Sequence, residues 1–146
     1  MKRAFWAAWF GLFCLAAWGQ VGGQAGQSNG LGVLRNAQYV YVTSYDGPQF
    51  SQELLEEDRA GITATQKALE QSGQFIVVYK PREADMIVVV QSRPSEDVLA
   101  VYDRNAWPTG NWLWRASKKG GLSDPDVPLV RQLEAALERA SSDSGR

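Results

Sequence analysis

Between Phe75 and Val90 the chain carries two apolar runs of strand length, Phe75-Ile76-Val77-Val78-Tyr79 and Met86-Ile87-Val88-Val89-Val90. These runs constrain the fold more than any other stretch. β-Branched and aromatic residues fill both, a composition that packs well on a pleated surface. Neither run alternates apolar with polar residues, as a strand with one wet face must. Both are therefore expected to be central strands covered on both sides. Lys80-Pro81-Arg82-Glu83-Ala84-Asp85 parts them with turn-forming residues, so the pair reads as a hairpin.

The flanking chain supplies the other elements. Gln38 to Ser44 sets Tyr39, Tyr41 and Thr43 against Val40, Val42 and Ser44, which predicts a strand broken by Tyr45-Asp46-Gly47-Pro48. Ser51 to Gln71 is helical in period, with Ser51 as the expected N-cap and Glu53, Glu56 and Glu57 at the positive end of the dipole. Leu55, Ile62 and Leu69 recur every seven residues, flanked on the same stripe by Leu54, Gly61 and Ala68. Gly61 costs the helix about 1 kcal/mol relative to Ala, which points to a close approach of helix to sheet. Ser72-Gly73 ends the helix. Beyond the central pair, Val98 to Tyr102 and Trp112 to Ala116 read as a fourth and a fifth strand, joined by the loop Asp103 to Asn111. A second helix is expected from about Asp126, with Pro128 in its first turn and Val130, Leu133, Leu137 and Ala140 as its apolar stripe.

The order strand, helix, four strands, helix predicts an α+β two-layer sandwich around a mixed five-stranded sheet, the last four strands forming an antiparallel meander. Two helices are too few to cover both faces of five strands. Either the helices sit on opposite faces or a partner closes one face; the favoured expectation is both helices on one face, leaving the other to expose some of Tyr39, Tyr41, Tyr79 and Tyr102. An apolar patch of that kind marks an interaction site.

This domain is assigned to residues 37–140 of the 146. Residues 1–19, MKRAFWAAWFGLFCLAAWG, place two positive charges before an apolar run and end in Ala17-Trp18-Gly19, the layout of a secretory signal peptide cleaved before Gln20. Two other readings stand beside it: an uncleaved anchor, suggested by Trp6, Trp9 and Trp18, and a lipoprotein modified at Cys14. The run falls short of the roughly 20 residues that span a bilayer, and Phe13 stands where lipoprotein signals have a small residue. Residues 20–36, rich in Gly and Gln, are expected to be a flexible linker, and residues 141–146 a frayed tail.

Composition removes several chemistries. The chain has no histidine, so Ser-His and Cys-His dyads and His-containing zinc sites are excluded. Its one cysteine, Cys14, lies in the leader. No cofactor or metal is expected. The acids Glu53, Glu56, Glu57 and Asp58 lack the spacing of a calcium loop and read as a solvated helix face. With a formal charge of −1 and no concentrated basic face, the chain is not expected to bind nucleic acid. Asp85 and Asp103 each abut an apolar strand where burial raises a carboxyl pKa, and they are the only acids considered for catalysis. Lys80, Arg82 and Arg93 lie in turns and read as solvated, with an anionic ligand as the alternative.

The segment from Tyr102-Asp103 through Thr109-Gly110-Asn111-Trp112-Leu113-Trp114 resembles the D-x-T-G-x-x-L-W hairpin of bacterial envelope proteins and propeller blades. It occurs once, and a propeller repeats it about every 40 residues. The structural reading makes Asp103 and Thr109-Gly110 turn formers, with one tryptophan in the core. The functional reading makes Trp107 and Trp112 a sugar- or partner-binding platform. Together with Ala84-Asp85, the hairpin resembles small exported bacterial proteins of unknown function. The element order is more loosely similar to envelope α/β domains of the CsgG and TolB N-terminal type, which implies an assembly module with no catalytic residues to carry over.

These readings predict an exported, non-catalytic module, periplasmic or associated with the outer membrane, that binds an envelope protein or itself through a sheet face or edge. A glycan- or ligand-binding domain using Trp107, Trp112 and Tyr102 is the alternative, and an Asp-dependent enzyme the third reading. Membrane contact is expected only through an uncleaved leader.

Overall fold

The computed structural model of the chain describes residues 27–28, 30–143 and 145, so the predicted leader lies outside the described residues. The fold is α+β, with two helices packed on a mixed sheet. The strands are β1 (Gln27–Ser28), β2 (Tyr39–Ser44), β3 (Ile76–Val78), β4 (Met86–Ser92), β5 (Asp97–Asp103) and β6 (Trp114–Lys118). The helices are α1 (Glu56–Gln71) and α2 (Pro128–Asp143). The five predicted strands are β2 to β6, and β1 adds a two-residue edge beside β6.

Spatial order across the sheet is β1-β6-β5-β4-β2-β3. The predicted hairpin between the two apolar runs does not form. β2 lies between them, parallel to β3 on one side and to β4 on the other. The reason is pairing length. β2 matches β4 from Val40 opposite Met86 to Ser44 opposite Val90, whereas β3 offers only Ile76, Val77 and Val78. A strand as apolar as β2, with Val40 to Ser44 all buried, gains more from the centre than from the edge. The antiparallel part of the sheet is therefore β4-β5-β6 alone. Met86 to Val90 are the doubly covered strand that their composition demands, each buried on its own face. Phe75 to Tyr79 instead form an edge.

Asp85 secures the chain where it crosses beneath β2. Its carboxylate accepts hydrogen bonds from the backbone N–H of Gln38 and of Tyr39, both at 3.0 Å, and its own N–H donates to Tyr39 O at 2.8 Å. These bonds start β4 in register beside β2.

Both helices pack on the same sheet face, as expected. Val40, Val42, Met86, Val88, Val90, Leu99, Val101, Trp114 and Ala116 point into one core with Ile62 and Leu69 of α1 and Leu129, Val130, Leu133 and Leu137 of α2. Burying side chains of this size contributes about 2 kcal/mol each. A Cβ on Gly61 would sit 3.2 Å from Leu122 Cδ1 and within van der Waals contact of Ser92 and Val90, the close approach that its place in the helix implied. Helix α1 begins later than predicted. Leu54 is buried in the core, and Arg59 donates to the carbonyls of Gln49, Ser51 and Leu54, holding that stretch as a turn. Ser51 is consequently no N-cap, and Leu55 is half-exposed at the helix start.

Two boundaries also move. The linker assigned to residues 20–36 is part of the fold from Gly30 onward: Leu31 and Leu34, on a 3₁₀ turn, are buried against α2. Polar and glycine residues around them hide two apolar anchors with the spacing of a single turn. At the other end α2 continues through Asp143, with the Ser141 and Ser142 hydroxyls donating to the carbonyls of Leu137 and Glu138.

Candidate functional site

The sheet face away from the helices is closed by loops, contrary to the expectation that it stands bare. Tyr41, Ala84, Ile87, Val89, Ala100 and Tyr102 form a second apolar cluster there, with Val78, Trp107 and Trp112 packed against it. Trp107 meets Tyr41 edge to face, with centroids 6.4 Å apart and planes at 68°. The loop between β5 and β6 folds back because Asp103 caps it. Its Oδ1 accepts from Asn105 N–H at 2.8 Å, and its carbonyl accepts from the N–H groups of Ala106 and Trp107. Gly110 completes the fold-back, since a Cβ there would lie 2.6 Å from Ala106 O. Asp103 and Thr109-Gly110 therefore flank a turn, in accord with the structural reading of the motif.

The six residues proposed from sequence divide accordingly. Tyr41 and Tyr102 are 9% and 7% exposed and belong to this second cluster, which removes them from any open surface. Trp107 and Trp112 are half-buried covers over it rather than a free-standing platform. Tyr39 and Tyr79 remain exposed, at 41% and 60%. Ile76, which the sequence reading had placed in a covered strand, joins them at 54%. Tyr39 and Ile76 are direct cross-strand partners, and Tyr79 follows β3.

Ile76 lies on the open edge of the sheet with Tyr39 beside it on the neighbouring strand β2, and Tyr79 is exposed just beyond the end of β3. Ile76 N–H donates to Gln38 O across to β2 at 2.8 Å. Backbone groups of successive strand residues point to opposite edges, so Val77 turns its N–H and C=O outward. The edge thus presents an apolar strip beside an unpaired donor and acceptor. An open cleft of about 830 Å³ adjoins it, lined by Leu34, Arg35, Gln74, Phe75, Leu137 and Glu138 among others.

The acids considered for catalysis do come together. Asp85 and Asp103 line one shallow cleft of about 270 Å³ with Arg104. Asp85 is exposed, and the N–H groups of Tyr39 and Gln38 hold its carboxyl below the ordinary carboxylate range. That is the reverse of the raised pKa expected from burial and of what a proton donor at neutral pH needs. Glu53, Glu56 and Glu57 are exposed, but Asp58 is fully buried, which corrects the reading of all four as a solvated face. Asp58 accepts from Ser92 N–H at 2.8 Å and pairs with Arg93, which also reaches Asp46. Arg93 is thereby committed to protein carboxylates. Lys80 pairs with Glu83 at 3.7 Å. No group of three or more candidate metal ligands occurs among the described residues.

Three residues that the structure leaves exposed or half-exposed were not singled out from the sequence: Ile76, Tyr45 and Arg115. Arg115 was the one with a signal, as a lone cation inside the apolar run Trp112-Leu113-Trp114-Arg115-Ala116.

No protein-family model matches the chain, and no curated protein does. The likeness to CsgG- and TolB-type domains therefore has no support from these comparisons and rests on element order alone. Among solved structures the chain is similar to a PelC variant dodecamer from Paraburkholderia phytofirmans, with a TM-score of 0.43 and 12% identity over 79% of this chain and 94% of that one. It is also similar to a second PelC dodecamer from the same organism, with a TM-score of 0.37 and 11% identity over 75% and 89%. At such identity and score the likeness is remote and says nothing of ligand or partner.

Proposed function

We propose that this chain is an exported, non-catalytic module of the cell envelope that binds a protein partner, or a second copy of itself, along the open edge of β3. The leader sequence supports export. The observation that carries the binding role is the exposed strip Tyr39, Ile76 and Tyr79 beside the outward-facing backbone of Val77. Protein edges are ordinarily blunted by charge, proline or a bulge. β3 is Ile-Val-Val, and only its shortness guards it. An added strand would take its main-chain hydrogen bonds from Val77 and seat alternate side chains on the aromatic strip and on the Phe75 side, the recognition mode of strand addition.

A photo-crosslinking residue placed at Ile76 in the full chain, expressed in a bacterial envelope, tests this against the same residue at Glu57, an exposed position in the first turn of α1. A discrete crosslinked species from position 76 alone is the expected result. It should disappear on adding Val77→Pro, which removes the outward N–H. Equal labelling from both positions, or none from either, rejects the reading.

A further inference from the structure

On the face opposite the helices, strand register sets Thr43, Val89, Ala100 and Arg115 in one row across β2, β4, β5 and β6. Ala100 is the smallest member, and its methyl leaves room above the sheet for longer side chains from either side. Tyr45, leaving β2 at the turn, brings its hydroxyl to 3.1 Å from that of Tyr102, the diagonal neighbour of Arg115. The Arg115 charge lies near enough to Tyr45 to oppose the rise in that phenol's pKa. None of the ion pairs among the described residues includes Arg115. Its charge is met there by the Tyr45 phenol rather than by a carboxylate.

We propose that Arg115 and Tyr45, with the buried Tyr102 hydroxyl holding that of Tyr45 from below, form a site for an anionic group, a carboxylate or a phosphate, on this face of the sheet. The guanidinium offers five N–H donors in a planar fork that matches two oxygens of either group. Each phenol offers one proton. Only one of those protons is used between the two hydroxyls, so the other is free for an incoming oxygen. Burial, reinforced by the Tyr102 hydroxyl, pushes Tyr45 above the ordinary phenol range, with Arg115 acting the other way. The Tyr45 hydroxyl thus keeps its proton at neutral pH and remains a donor. The floor is apolar, made by the buried Val89, Val98 and Ala100, and such a floor strengthens a charge-assisted hydrogen bond above it. Tyr45 is 46% exposed, so the approach from solvent is open. This site is independent of the β3 edge and lies on a different part of the sheet.

The test uses the full chain and two probes, inorganic phosphate and acetate, titrated by calorimetry and by the near-ultraviolet tyrosine signal. Saturable binding of at least one anion is expected, and the preferred probe tells phosphate from carboxylate recognition. Arg115→Gln should weaken it about tenfold or more, and Arg115→Lys, which keeps charge but not the fork, by less. Tyr45→Phe removes one donor from an exposed side chain and should weaken binding several-fold. It decides the matter if Arg115→Gln does not fold. No saturable binding of either anion, or unchanged affinity in both Arg115→Gln and Tyr45→Phe, overturns the proposal.

Discussion

Arg93 Nη1 lies 3.1 Å and 3.0 Å from the two carboxylate oxygens of Asp58, a side chain wholly buried in the first turn of α1. With Ser92 N–H completing the shell at 2.8 Å, this pair ties the start of α1 to the end of β4. Removing the cation strands a buried charge, the situation that costs most. Arg93→Met should therefore destabilise the protein by about 3 kcal/mol in urea unfolding. Asp58→Asn keeps the shape without the charge and should cost less. A double mutant whose loss equals the sum of the singles would show that the two groups do not interact.

Trp107 closes the loop-covered face. Trp107→Ala should cost about 2 kcal/mol, below the usual range for a fully buried tryptophan because its ring is half-exposed. It should also bare Tyr41 and Ile87, read as increased binding of an apolar dye to the folded protein. Unchanged dye binding together with unchanged stability would mean the ring covers nothing of consequence.

Two carboxylates give pH dependences of opposite sign. Asp85 is held below its ordinary value, so its contribution is present above that value and is lost as acid protonates it. Glu134 is raised above 4.5, chiefly by burial and with Glu138 adding to it, while the Ser72 hydroxyl opposes the rise. One of its oxygens lacks a hydrogen-bond partner. A carboxyl raised in this way favours the folded state below the ordinary value and loses that contribution as pH climbs through the folded pKa. Glu134→Gln should therefore melt higher than the native chain at neutral pH, and the gap should close on acidification toward pH 4.5. A gap that widens on acidification would contradict the assignment.

Thr65 is a fully buried residue of α1, and its hydroxyl has no hydrogen-bond partner. Valine has nearly the same shape without the desolvated group. Thr65→Val should stabilise by about 1 kcal/mol in urea unfolding, and a loss of stability would indicate that the hydroxyl is satisfied in solution.

The candidate surface was legible in part. Tyr39 and Tyr79 could be picked out because they are aromatic and stand at the ends of strands. Tyr41 and Tyr102 look the same in sequence, yet the loop carrying Trp107 covers them, and nothing local reports which loop lies over which tyrosine. Asp58 left a signal that was passed over. It stands three and four residues before Gly61 and Ile62, on the buried stripe of α1, where a lone acid requires a cation.

By itself the sequence determined five of the six described strands, both helices apart from their exact ends, and the fully covered state of Met86 to Val90, because period and composition are local properties that burial enforces. That both helices share a face was the favoured expectation of two, and the structure decided it. Only the tertiary structure decided that β2 enters between the two apolar runs, making Val77 an edge and Val88 a centre. That choice depends on how many residues each strand can pair with another, a comparison between distant segments that no single stretch of sequence contains.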